Sequence, residues 1–158
     1  MPQLSIQNIG VSSVILTGMS RRLLVDAFNS MTKSPGVLPG DIILFTHDDN
    51  DHFSPDALPD IRGTDSSIIG PPTIVKPLLE KERATLDQIN VLYSVDNTNP
   101  ASIELGGMRI QLNDHKKRRN NTASSRQRIP GGIYLNATNV RYTVAHYRCM
   151  LVIYPEAS

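Results

Sequence analysis

Four histidines occur in this chain of 158 residues, and two of them, His47 and His52, share one stretch with Asp48, Asp49 and Asp51. Imidazole and carboxylate at this density suit a borderline or hard divalent cation such as Zn, Mn or Fe. Without a cation the carboxylates would repel one another, and a bound ion removes that cost. The stretch runs Thr46-His47-Asp48-Asp49-Asn50-Asp51-His52-Phe53-Ser54-Pro55-Asp56 and follows the apolar run Ile42-Ile43-Leu44-Phe45. A buried strand, a short polar loop and a helix start together form the usual scaffold for a site. The competing reading is a solvated acidic loop that caps the next helix. An EF-hand calcium loop is excluded. Counted from Asp49, its fifth, sixth and twelfth positions are Phe53, Ser54 and Asp60, where an oxygen ligand, Gly and Glu are needed.

The neighbouring elements must position this loop. Leu4, Ile6 and Ile9, then Val14-Ile15-Leu16-Thr17, read as strands. Arg22-Leu23-Leu24-Val25-Asp26 reads as the next, paired in a hairpin across Gly18-Met19-Ser20-Arg21. Asp26 ends that strand and points toward the following loop. A turn former at a strand end accounts for it better than a role beside a metal. Residues 27–40 form a long connection with turns at Ser34-Pro35-Gly36 and Pro39-Gly40, and Asp41 leads into the strand before the His/Asp loop. After that loop, Ser54 as N-cap and Pro55 at the first helical position predict a helix through Ala57-Leu58. Its N-terminus would face the loop and favour a bound anion such as a phosphate or carboxylate.

Further on, Ser66 to Gly70 predicts a short strand, and Pro71-Pro72 opens a helix over about 72–82 despite Pro77. Ala84 to Gln88 continue it or form a second short helix, and Ile89 to Tyr93 is a strand. Asp96 to Pro100 is a turn cluster. Two hairpins follow. One turns at Gly106-Gly107 between Ala101–Leu105 and Met108–Leu112. The other joins the segments 131–135 and 140–144. Met150 to Tyr154 is a last apolar run. Between the hairpins, residues 113–129 are polar and basic, lack apolar periodicity and predict a mobile loop.

Composition fits one soluble domain over residues 1–158, with 39% apolar and 20% charged residues and a net charge of +1. The charge is unevenly spread. Residues 1–108 hold seven Lys/Arg against thirteen Asp/Glu, and residues 109–158 hold nine against two. The basic end can bind nucleic acid or pack beside the acidic one. Lys116-Lys117-Arg118-Arg119 has no interleaved aromatic residues to stack bases, so a solvated loop is favoured over nucleic-acid binding. Cys149 is the single cysteine, which excludes an intramolecular disulfide and fits a reducing compartment. No charged leader with an apolar core opens the chain, and no apolar run approaches the ~18 residues of a membrane span. The expected setting is cytoplasmic, without a membrane.

The order of strands, the strand-terminal Asp and the loop Thr46-His47-Asp48-Asp49-Asn50-Asp51-His52 together resemble the metallo-β-lactamase superfamily. The likeness is greatest to its small metal-dependent hydrolases, the branch with the L-ascorbate-6-phosphate lactonase-like proteins. The flanks Ile43-Leu44-Phe45-Thr46 and Phe53-Ser54-Pro55 match that branch, as do Val25-Asp26, Ile69-Gly70-Pro71-Pro72 and Gly106-Gly107-Met108-Arg109-Ile110. The resemblance runs over roughly residues 4–112 and more weakly over the second hairpin. It implies an α/β fold of αββα sandwich type, with mixed, largely antiparallel sheets and flanking helices. It also implies His47 as a ligand of a first metal, and Asp51 and His52 as holders of a second. Asp49 stands where the family has its second histidine, and Asp51 would also orient the water that attacks. The implied activity is a hydrolase of a small ester, lactone or phosphoester, using Zn, Mn or Fe, one ion or two, and metal-bound hydroxide.

The departures from the family pattern shape the expectation. Asp for His at position 49 makes the donor set richer in oxygen and moves preference from Zn toward Mn or Fe. His115 is the one candidate for the family's third histidine, and it can equally be a loop residue. No Gly-Asp pair follows residue 112, and a late histidine is offered only by His146. The second half is thus expected to be incomplete. An incomplete sandwich exposes a sheet edge, which invites a homo-oligomer. The alternative function is a catalytically inactive or truncated relative kept for binding or assembly.

Overall fold

The computed structural model describes residues 5–10, 13–18, 21–91, 101–105, 108–114, 133–136, 141–145 and 149–155. The chain forms two compact units, Met1–Leu92 and Tyr93–Ser158.

The first unit is built on a six-stranded sheet whose strands lie side by side in chain order: β1 (Ser5–Gly10), β2 (Ser13–Gly18), β3 (Arg21–Val25), β4 (Ile42–Leu44), β5 (Ser67–Gly70) and β6 (Ile89–Val91). β1, β2 and β3 pair antiparallel, and the β2–β3 hairpin closes with Gly18 opposite Arg21, as the sequence predicts. From β3 to β6 the pairing is parallel. Parallel strands need connections long enough to cross back, and the segments 26–41, 45–66 and 71–88 supply them. The short, unbroken apolar runs of β3, β4 and β5 are the pattern of strands buried on both faces.

One face of the sheet, through Ile15, Leu24, Ile43 and Ile68, packs into a single apolar cluster with Phe28, Phe45, Phe53, Leu58, Ile61, Ile74 and Leu78. Each fully buried Leu, Ile or Phe there contributes about 1.5–3 kcal/mol. The long connection before β4 is pinned by Asp41. Its buried carboxylate accepts from Arg22 Nε at 2.9 Å and from Arg22 Nη2, and from the Leu38 N–H at 2.7 Å. This bidentate pair fixes where β4 begins.

Two predicted helices differ from observation. Residues 54–58 form only a turn, with Ala57 N–H donating to Ser54 C=O at 3.1 Å. Pro59 follows one turn later and disfavours helical dihedrals at Leu58, so the turn does not extend into a helix. The anion-binding helix end expected there is therefore absent. The helix expected over 72–82 is a 3-10 turn at Pro72–Ile74 followed by α1 (Val75–Glu80). Pro77 falls in the first turn of α1, where its missing N–H has no intrahelical partner to lose. Residues 84–88 give a 3-10 turn, Leu86–Gln88, entered through a Thr85/Gln88 capping box.

Gly70 ends β5 against the 3-10 turn Pro72–Ile74. A Cβ there would collide with Ile74 Cδ1 and approach Phe45 C=O to 3.3 Å. Gly70→Ala is expected to destabilise the protein by about 1–3 kcal/mol, because the fully buried Ile74 side chain must leave its rotamer and the Phe45 carbonyl before the His/Asp loop must shift. Urea unfolding checks this, and an unchanged midpoint would contradict it.

The second unit is a five-stranded antiparallel sheet in the order β7 (Ala101–Leu105), β8 (Met108–Asp114), β11 (Cys149–Pro155), β10 (Arg141–Ala145), β9 (Ile133–Asn136). Both predicted hairpins are present, with Leu105 opposite Met108 and Asn136 opposite Arg141. The final apolar run is the central strand. β8 continues to Asp114, so Asn113 and Asp114 belong to a strand rather than to the basic loop. The rest of that loop, with His115 and Lys116–Arg119, lies outside the described residues, as does His146. The mixed α/β architecture matches the fold the sequence predicts. Among the described residues no helix is long and apolar enough to cross a membrane.

Candidate metal centre

The His/Asp loop leaves the carboxyl end of β4, beside the carboxyl end of β3. The register sets Val25 opposite Leu44, so Asp26 and Thr46 emerge together, and Asp26 N–H donates to Leu44 C=O at 2.8 Å. Ligands in open α/β sheets gather at this end of parallel strands. The loop is closed at its base by two buried rings. Phe45 precedes it and Phe53 follows it, and they meet edge to face with centroids 4.9 Å apart. Within it, the N–H groups of His52 and Phe53 both donate to Asp49 C=O at 2.8 Å, folding Asp49–His52 into a tight turn. From outside, Ser30 N–H and Oγ both donate to Asn50 C=O, at 3.0 and 2.8 Å.

This framework brings His47, Asp49, Asp51 and His52 together. The two imidazoles lie 3.8 Å apart between centroids, tilted by 40°. His47 Nε2 faces Asp49 Oδ2 at 3.4 Å, and His52 Nε2 faces Asp51 Oδ2 at 3.3 Å. The His52 side chain is 0% exposed and that of His47 12%, whereas Asp49 and Asp51 are each 46% exposed. The histidines thus form the floor of the group and the carboxylates its open rim. Ligand atoms of His47, Asp49 and Asp51 fall within 4.8 Å of one another. Burial, followed by the neighbouring His52, pushes the His47 imidazole below its ordinary pKa, against the pull of Asp26, Asp49 and Asp51. The neutral, ligand-competent imidazole is favoured accordingly.

Asp26, Thr46 and their hydrogen bonds complete the centre. Asp26 is buried, with φ of 47° in the left-handed region. A strand-end turn former explains that dihedral, since Asp tolerates it, but not the burial of the carboxylate. Its Oδ2 lies 2.8 Å from His52 Nδ1 and accepts the Thr46 hydroxyl at 2.6 Å, and its Oδ1 accepts the Thr46 N–H at 2.8 Å. A carboxylate has only acceptors to offer, so His52 donates from Nδ1. In neutral His52 the lone pair then sits on Nε2, the atom facing the rim. Asp26, His47 and His52 also have ligand atoms within 4.8 Å of one another. The sequence signal for Asp26 was present but non-local: an acidic residue directly after a buried run, in the strand that pairs with the loop's own strand.

A family model described as a beta-lactamase superfamily domain matches residues 5–147. Among solved structures, the chain is similar to a "putative metal-dependent hydrolase" from Parabacteroides distasonis ATCC 8503, at 23% identity and a TM-score of 0.49. That match covers 72% of this chain and 46% of the other, so the chain spans less than half the length of that protein. No curated protein matches. The family match takes in most of both units, and the chain belongs to the beta-lactamase superfamily, with a metallo-β-lactamase-like fold.

Proposed function

We propose that the chain is a metal-dependent hydrolase acting on a small ester, lactone or phosphoester. The observation that carries this reading is the pairing of each histidine Nε2 with a rim carboxylate oxygen, at 3.4 and 3.3 Å. Because His52 donates from Nδ1 to Asp26, neutral His52 carries its lone pair on Nε2, and a lone pair set against the Asp51 carboxylate oxygen is repulsive until a cation joins them. The donor set fits a divalent cation on this ground. His47 and His52 would ligate through Nε2, and Asp49 and Asp51 through carboxylate oxygens. His115 remains a proposed further ligand.

When bound, such a cation, one or two, polarises a carbonyl or phosphoryl oxygen and makes a bound water more acidic. The chain's own groups do the rest. Asp51, reaching solvent at the rim, orients the attacking water with its second oxygen and accepts its proton, while His47 and His52 hold the floor of the site. We place the activity in the cytoplasm, with a second copy of the chain as a partner at a sheet edge.

Asp49 supplies oxygen where the family has nitrogen, which moves preference from Zn toward Mn or Fe. Asp49→His is expected to raise the ratio of Zn to Mn bound from an equimolar mixture by roughly tenfold, equivalent to about 1.4 kcal/mol. Elemental analysis of the loaded protein measures it, and an unchanged ratio would remove Asp49 from the ligand set.

The function itself is tested by metal analysis of the purified chain together with turnover of aryl esters, a lactone and an aryl phosphodiester. Bound Zn, Mn or Fe, lost in His52→Ala, with hydrolysis that follows metal content, is the expected result. A protein that takes up no added cation overturns the reading. Tight metal binding without turnover of any substrate class would favour the inactive relative kept for binding.

A further inference from the structure

We propose that Thr46 is a positioning residue that ties the His47 imidazole to Oδ2 of Asp26, the carboxylate oxygen that His52 binds directly, and thereby sets which nitrogen of His47 faces the cation. The inference rests on the metal-site reading for its purpose, but the feature it names exists without metal.

The argument is an accounting of protons. Asp26 Oδ2 accepts the Thr46 hydroxyl at 2.6 Å and His52 Nδ1 at 2.8 Å. The hydroxyl has a single proton, and the carboxylate takes it. Thr46 Oγ1 also lies 2.9 Å from His47 Nδ1. With its proton committed, that oxygen has only a lone pair to present, so the contact is a hydrogen bond only when His47 Nδ1 carries the proton. Neutral His47 is left with its lone pair on Nε2, the nitrogen beside Asp49. One oxygen therefore selects the same tautomer in both rings, in His52 directly and in His47 through Thr46.

The surroundings give the chain of bonds little freedom to reverse. Thr46 holds both carboxylate oxygens, one with its hydroxyl and the other with its N–H at 2.8 Å. The Asp26 backbone is fixed in its left-handed conformation by its own N–H to Leu44 C=O. Its carbonyl accepts Ser13 Oγ at 2.8 Å and Asn29 Nδ2 at 2.7 Å. The two rings also differ in their need for a tether. His52 is fully enclosed, so packing helps to hold it, whereas His47 reaches the surface and is less held by packing. Orienting partners of this kind typically change metal affinity 10- to 100-fold when removed.

The test reads the tautomers directly, by nitrogen–proton correlation spectra of the imidazoles in the full-length, metal-free protein at about pH 8, where ordinary histidine is neutral. Wild type is expected to show both rings protonated at Nδ1. In Thr46→Val, His52 keeps that form while His47 spreads over both tautomers, and Zn affinity, measured against a chromogenic chelator, falls about 10- to 100-fold. Thr46→Ser restores both readouts. If valine is not accommodated, as loss of the His52 resonance would reveal, Thr46→Ala makes the same comparison. Persistence of the Nδ1–H form of His47 in the hydroxyl-less variant, or failure of serine to restore it, overturns the proposal. Absence of binding of Zn, Mn and Fe alike by wild type would instead remove the metal-site reading, and the tautomer spectra would still decide the role of Thr46.

Discussion

Replacing Asp26 by alanine is expected to cost about 3–5 kcal/mol of stability, the loss seen when one partner of a buried charged network is removed. Three donors would be left facing a void: the Thr46 N–H, the Thr46 hydroxyl and His52 Nδ1, all within 2.8 Å of the carboxylate. Each unmet buried donor costs about 1–3 kcal/mol. Alanine must also adopt the φ of 47° that residue 26 holds, which adds roughly 1–2 kcal/mol for a residue with a Cβ and no side-chain hydrogen bond. Asp26→Asn separates the contributions. Asparagine keeps the volume and tolerates the left-handed dihedral, but its amide turns at least one acceptor into a donor. It is expected to recover part of the loss and to stay about 1–3 kcal/mol below wild type. Urea unfolding followed by far-UV circular dichroism, with amide exchange of β3 and β4, measures both. A loss below about 1 kcal/mol in Asp26→Ala would mean that the residue is a turn former only.

That prediction turns on a contact the sequence hides. The loop from His47 to His52 was legible because its cues are local: an unbroken apolar run, then a dense polar one. Asp26 was equally visible as a residue but not as a partner. What joins it to Thr46 and His52 is the parallel register of β3 on β4, and nothing in the nineteen positions between residues 26 and 46 encodes that register locally. The miss at Ser54 has a different, local cause. Ser54-Pro55 carries a sound helix-start signal, yet Pro59 follows within about a turn and leaves no room for a helix to propagate. Hairpins fared better, since both strands and the turn lie within one short window. The central place of β11, between β8 and β10, again depends on pairing across distance and could not be read from its apolar residues alone.

Addition of the preferred divalent cation, at a free concentration a hundred times its dissociation constant, is expected to stabilise the wild-type protein by up to about 2.7 kcal/mol. For a unit of about ninety residues this raises Tm by roughly 10–20 °C. The double variant His47→Ala/His52→Ala should show no shift, and a chelator should reverse the wild-type shift. The size of the effect is as informative as its presence. Four of the five proposed ligands fall within residues 47–52, so the unfolded chain keeps these donors close together and retains some affinity. Binding to the unfolded state subtracts from the stabilisation. What the folded state adds is preorganisation: two rings 3.8 Å apart, a turn closed on Asp49 C=O, and a His52 tautomer fixed by Asp26. A shift near the upper value would mean that folding creates most of the affinity. A shift of only a few degrees would mean that the six-residue segment binds nearly as well alone, and a synthetic peptide spanning residues 44–55 would then match the protein. No shift with Zn, Mn or Fe would remove the metal centre altogether.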